Sequence, residues 1–188
     1  MPARRRLDRE TVVETAEALV DRDGWEFLTM TALASKLGVR GPSLYNHVKS
    51  VEALLDAVQT RALAALGSEL QRAAMGKSGP QGLHALATAL RTFAAEHPGR
   101  YELAMSEPID RDAVRSASAA AGDALSAVVE SFGVPELSRD LSFIALSTLH
   151  GVLALDRAGL FRGSVDATAM YDRAIELVVA TIESEASH

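Results

Sequence analysis

At 188 residues the chain is long enough for one large core or two small ones, and 48% apolar with 23% charged residues is an ordinary globular composition. With 5% aromatic residues, abundant alanine and no cysteine, disulfides and thiolate metal sites are excluded, and helices are favoured because alanine loses nothing in a helix while strands prefer aromatic and β-branched side chains. The net charge of −6 argues against non-specific coating of nucleic acid, yet residues 1 to 61 hold nine basic against nine acidic side chains, so the remainder carries the whole excess.

The opening MPARRR is basic without an apolar run. The longest apolar-rich stretch, around Phe143 to Leu155, is short and interrupted by Ser147, Thr148 and His150. No signal peptide and no membrane span are expected, and a cytoplasmic location is. The first helix is predicted from about Arg9 to Arg22. Asp8 is its cap, Leu7 and Val12 its staple, and Val12, Val13, Ala16, Leu19 and Val20 its apolar stripe, with Gly24 as the stop. Trp25 and Phe27 are expected to close a small core over that stripe.

Residues 29 to 49, TMTALASKLGVRGPSLYNHVK, spell two short helices joined by a glycine turn. Thr29 can cap the first, Leu28 and Leu33 can staple it, and Gly38 supplies the positive φ of a tight exit after Leu37. Pro42 fits the first turn of the second helix, where its missing N–H costs nothing, and Leu44 and Val48 recur at i and i+4 as its inward face. Arg40, Ser43, Tyr45, Asn46, His47 and Lys49 then face outward, a set able to reach base edges and phosphates in a major groove. From Phe27 to Val51 the charged residues are Lys36, Arg40 and Lys49, a local +3 in an acidic protein. That contrast marks a phosphate-facing surface.

GPSLYNHVKSVEALLDAV, preceded by LTMTALASKLGV, resembles the DNA-binding domain of the TetR family of bacterial transcriptional regulators. The likeness runs from Arg6-Leu7-Asp8 to about Leu66 and is weaker beyond, in HPGRYELAM (97 to 105) and LHGVLALDRAGLF (149 to 161). It implies an all-α fold with a three-helix helix-turn-helix head over residues 1–50, linked by a fourth helix to a helical ligand-binding and dimerisation domain over residues 51–188. It further implies a homodimeric repressor that binds a palindromic double-stranded operator and is released by a small-molecule effector, with no enzymatic activity, cofactor or metal. Arg40, Ser43 and Asn46 are the expected base contacts; Thr29, Tyr45, His47 and Lys49 are the expected phosphate contacts. Two positions depart from the family pattern: Asn46, where an aromatic residue or histidine is common, and Val51, where a basic one is. The operator sequence is therefore not implied.

Ser50 is expected to cap the fourth helix, whose Val51, Leu54, Leu55, Val58, Ala62, Leu66 and Leu70 share a side. Residues 75 to 82, MGKSGPQG, read as a flexible connector. Their GKS is not a phosphate loop, since Gln71 stands where that motif needs glycine and no strand precedes it. Helices are predicted over about Gly82 to Glu96, Tyr101 to Ser106, Asp110 to Phe132, Pro135 to Arg157 and Asp166 to Glu185. In the last two, Leu137, Leu141, Ile144, Ala145, Thr148 and Val152, and Met170, Ala174, Leu177, Val178 and Ile182, form apolar sides. These sides either close the monomer core or pair with a second copy as a four-helix interface, and a reader with one short recognition helix favours the dimer.

The family resemblance places a small-molecule pocket among these helices, with Phe93, His97, Tyr101, Met105, Phe143 and His150 as its expected lining. Each has a packing alternative: buried aromatics and methionine mostly fill cores, and His97 before Pro98 equally reads as a helix end. His150 is the most distinctive, because a buried imidazole needs partners for both nitrogens. His47, His84, His97, His150 and His188 show no metal-binding spacing, and no hydrolase or dinucleotide motif is present. Two other readings stay open. One is an all-α binding protein or enzyme with a degenerate head; the other is an architectural DNA binder without a ligand.

Overall fold

The computed structural model describes residues 7–187. MPARRR and His188 lie outside the described residues. Among the described residues nine helices form in chain order: α1 (Arg9–Asp23), α2 (Met30–Leu37), α3 (Gly41–Leu44), α4 (Val51–Ala74), α5 (Gly79–Glu96), α6 (Pro98–Ala104), α7 (Arg111–Glu130), α8 (Ser138–Arg157) and α9 (Ala167–Ala186), with single 3-10 turns at Trp25–Phe27 and Pro135–Leu137. No strand occurs among the described residues, and no helix among them is long and apolar enough to cross a membrane.

The chain divides into two compact units, residues 7–65 with 94–118, and residues 66–93 with 119–187. The division therefore runs through α4, α5 and α7 rather than at residue 50, and the first unit recruits a distant segment.

Side-chain caps start three helices of the first unit, α1, α2 and α4. The Asp8 carboxylate accepts the Thr11 N–H at 2.8 Å, the Thr29 hydroxyl accepts the Ala32 N–H at 3.1 Å, and the Ser50 hydroxyl accepts the Ala53 N–H at 3.1 Å. Each such cap is worth about 1 kcal/mol. Val12, Val13, Ala16, Leu19 and Val20 of α1 bury their stripe against Leu33 and Ala34 of α2, Leu44, Val48, and Leu54 and Val58 of α4. Leu103 of α6 completes this core from 45 residues beyond Val58. Of the two aromatics expected to close it, only Trp25 packs there; Phe27 is 70% exposed. A 3-10 turn advances about 120° per residue, so positions two apart cannot both face one core.

The 94–118 segment is tied to the rest of its unit by polar contacts. The Arg100 N–H and Nε donate to the two oxygens of Asp21 at 2.9 and 2.7 Å. Gln59, fully buried on α4, donates from Nε2 to the carbonyl oxygens of Leu103 at 2.8 Å and Glu107 at 3.3 Å, and its Oε1 accepts the Ile109 N–H at 3.1 Å. A polar side chain in an apolar interior costs free energy unless bonded, and here both ends of the amide are used.

In the second unit, Leu83, Leu86, Ala87 and Leu90 of α5, Ala124, Val128 and Val129 of α7, Leu141, Ala145 and Leu149 of α8, and Ala174, Ile175, Val178 and Ile182 of α9 are buried. The Tyr171 hydroxyl donates to the Ala87 carbonyl at 2.8 Å, and the Arg91 guanidinium lies 5.1 Å from the Tyr171 ring centre. The connector is shorter than expected, because α5 already begins at Gly79, whose N–H donates to the Ser131 hydroxyl at 2.7 Å. The expected apolar sides of α8 and α9 are split between interior and surface. Leu141, Ala145 and Leu149 form the buried stripe of α8, whereas Leu137, Phe143, Ile144, Leu155, Met170 and Leu177 stand exposed. Both α8 and α9 are apolar on more than one side, so periodicity did not single out the inward one.

Candidate nucleic-acid interface

The outward residues of the N-terminal unit are set by the turn between α2 and α3. Gly38 adopts the left-handed conformation, φ 66°, which lets its N–H and that of Val39 return to the carbonyls at the end of α2. Arg40 is extended, and Pro42 occupies the first turn of α3. The helix is one turn long. It is continued by a turn in which the N–H groups of His47 and Val48 both donate to the Leu44 carbonyl, at 2.8 and 3.0 Å. Leu44 and Val48 are buried, as their spacing implied, and hold the backbone between them against the core.

The side chains between these anchors point out. Arg40, Tyr45, Asn46 and Lys49 are exposed, Tyr45 by 56%, and Ser43 and His47 are half-buried. None of the six makes a side-chain hydrogen bond or ion pair with any described residue, so their capacity to bind is unspent. Thr29 is exposed too; its oxygen accepts the cap bond to Ala32, and its O–H stays available to donate. Elsewhere in the same unit cations are satisfied internally: Arg61 bonds Glu10 and Glu17, and Arg100 bonds Asp21. A buried anchor row under a row of unpaired donors, with Lys36, Arg40 and Lys49 uninterrupted by acid, has the character of a surface that can face a major groove.

A profile described as "Tetracyclin repressor-like, C-terminal domain" matches residues 83–178. The HTH-type transcriptional regulator Rv0681 of Mycobacterium tuberculosis is 35% identical over 189 residues, covering 97% of this chain and 85% of that protein. The chain belongs to the TetR family of DNA-binding transcriptional regulators. The class D tetracycline repressor of Escherichia coli is 48% identical over 59 residues, 31% of this chain and 27% of that repressor. Among solved structures, a TetR variant from Acinetobacter baumannii in complex with minocycline has a TM-score of 0.72 at 20% identity, covering 97% of this chain and 100% of that one. The TetR-family regulator PfmR of Thermus thermophilus has a TM-score of 0.68 at 19% identity, covering 90% and 97%.

The six residues expected to line a TetR-family ligand pocket fall into different units. Phe93, Phe143 and His150 belong to the second; His97, Tyr101 and Met105 belong to the first. Phe93 and Tyr101 are buried, while Phe143 is 60% exposed. His150 is half-buried, and burial holds its imidazole below the ordinary value. His97 Nδ1 lies 2.6 Å from Arg100 Nη2 and 3.7 Å from Asp21 Oδ2, so it joins the Asp21–Arg100 tie. Within the second unit, Leu70, Leu83, Leu86, Leu90, Leu125 and Leu149 surround an apolar cavity of about 30 Å³, the size of a single water. Sequence reading passed over Gln59, whose signal was available: a glutamine next to Val58 on the buried side of an apolar helix.

Proposed function

We propose that this TetR-family regulator is a homodimeric repressor whose two copies of α3 enter successive major grooves of a palindromic operator, and that a small-molecule effector releases it. The observation that carries the DNA reading is the row Arg40, Ser43, Tyr45, Asn46, His47 and Lys49, unpaired within the chain and anchored by buried Leu44 and Val48. In this reading Arg40, Ser43 and Asn46 contact bases. Tyr45, His47, Lys49 and Thr29 contact phosphates and set the register.

One four-residue recognition helix offers too few contacts for specificity alone, so a second copy is required. The exposed apolar residues Phe143, Ile144 and Leu155 of α8 with Met170 and Leu177 of α9 supply the self-complementary face for it. The effector acts by binding the non-DNA state more tightly, with a coupling of roughly 1 to 3 kcal/mol expected of such linkage. The reader extends beyond residues 1–50 to the 94–118 segment, which shares its core, and residues beyond it serve dimerisation and effector binding.

Titrating the full chain against a fluorescent fragment of the promoter nearest its own gene, across a salt series, tests this reading. Tight, salt-dependent binding to one site in excess random DNA is expected, with a dimer as the bound species. Affinity equal to that for random DNA overturns it.

A further inference from the structure

The first residue of α3 is a glycine that packing within the chain does not call for. Gly38 is held by its left-handed φ, and Gly67 and Gly82 by crowding, since a Cβ on them would lie 3.0 Å from Ala120 Cβ and 3.0 Å from Val128 Cγ1 respectively. At Gly41 the backbone is helical, and a Cβ would meet no described atom within 4 Å. Glycine in a helix loses more backbone entropy than alanine does, so the empty position is kept at some cost. The one local demand comes from Pro42, which crowds a side chain on a helical residue before it.

The empty position lies in the reading row. Gly41 stands between Arg40 and Ser43, two of the residues assigned to bases. Cα–Cβ bonds in a helix lean toward its N-terminus, and the N-terminal residues of a recognition helix are the ones that meet base edges. Pro42, the next residue, is exposed and has no N–H. Between two polar side chains the row therefore has a notch with a floor of carbon, the Cα of Gly41 and the ring of Pro42. Base edges in the major groove present hydrogen-bonding groups and one apolar group, the C5 methyl of thymine. Of these, the methyl is the group that loses nothing on meeting such a floor, because it has no hydrogen bond to forgo.

Resting on the reading of the chain as an operator-binding repressor, we propose that Gly41 is a specificity-determining residue that admits the C5 methyl of one thymine in each half-site. Arg40 and Ser43 read hydrogen-bonding edges on either side of it; Gly41 reads a methyl by having no side chain. A methyl on residue 41 and a methyl on the base would compete for the same space, so alanine at this position should turn the preference for thymine into a penalty.

Deoxyuridine is the probe, because it keeps every hydrogen-bonding group of thymidine and lacks only the methyl. Once the bound site on the promoter fragment nearest the chain's own gene is footprinted, duplexes with deoxyuridine at each thymine in turn are titrated with the full chain. The parent is expected to lose about three- to fivefold in affinity at one thymine of each half-site. Gly41→Ala should bind the all-thymine duplex at least about tenfold more weakly than the parent, and should prefer deoxyuridine at that same position. Gly122→Ala, equally open but in the second unit, should keep the parent's preference. Both duplexes meet the same protein, so strain beside Pro42 weakens them alike and cannot reverse a preference. Gly41→Ala that binds the all-thymine duplex as tightly as the parent, or that loses affinity for every duplex to the same extent, overturns the proposal. A parent chain that binds the fragment no more tightly than random DNA refutes the operator reading itself, and the methyl contact falls with it.

Discussion

Gly99 of α6 lies so close to α1 that a Cβ placed on it would sit 1.9 Å from the carbonyl oxygen of Val20. No side chain fits at that separation, and the obstacle is backbone, which cannot rotate aside. Gly99→Ala must therefore push α6 off α1, disturbing Leu103 in the core and the Asp21–Arg100 tie together. Overpacking of this kind costs roughly 1 to 3 kcal/mol or more, to be read as a fall in urea midpoint. Gly122 on α7 is the opposite case, with nothing within 4 Å of its would-be Cβ. Gly122→Ala should stabilise by roughly 0.5 to 1 kcal/mol, through helix propensity alone.

Gln59→Leu preserves bulk but strips donors from the Leu103 and Glu107 carbonyls and an acceptor from the Ile109 N–H. The Leu103 carbonyl keeps the Ser106 hydroxyl and N–H as donors, whereas the Glu107 carbonyl and the Ile109 N–H lose their partner, at about 1 to 3 kcal/mol each where they stay buried. The expected outcome is a substantial loss of stability, with faster hydrogen exchange at Ile109 than at core amides of α9. Unchanged exchange at Ile109 would show that the amide is not what holds that turn.

At the DNA surface, charge and shape should separate. Lys49→Ala should lower affinity for operator and random DNA alike and reduce the salt slope by about 1, as expected for one lost phosphate contact. Arg40→Ala should cost about 1 to 3 kcal/mol on the operator alone and relax selectivity at its base pair. Tyr45→Ala should weaken operator binding while sedimentation still reports the dimer. Equal salt slopes for all three variants would contradict this division of roles.

Burial lowers the His150 imidazole from its ordinary value, so the folded chain takes up this proton less readily than the unfolded chain does. Its contribution to stability is complete above the unfolded value near 6.5 and is lost as pH falls through that value, levelling off once the folded group also protonates. Denaturation midpoints should fall between about pH 7 and 5, and His150→Gln should flatten that dependence. The same slope in the variant would assign it to other groups.

What was readable in the chain was local. The caps at Asp8, Thr29 and Ser50 each serve an N–H three residues away, and Gly38 marks a turn that its own φ requires. Leu44 and Val48 likewise identified the outward row by their spacing. What escaped was set by partners far along the chain. Gln59 bonds groups 44 to 50 residues away, and the need for glycine at position 99 exists only because Val20 lies beneath it. Phe27 misled because a 3-10 turn redirects alternate side chains, and Phe143, expected in a pocket, because an apolar side chain can face outward as readily as inward.

The chain passes between its two compact units within α4, α5 and α7, never in a loop. A gene fusion cut after residue 65 would carry Gln59 without the carbonyls it serves, and the first core without Leu103. Swapping the DNA-reading part onto another regulator therefore requires an exchange at three junctions. Inheritance of new operator specificity should proceed by substitution on the row from Arg40 to Lys49, since recombination in a single step would separate a reader from part of its own interior.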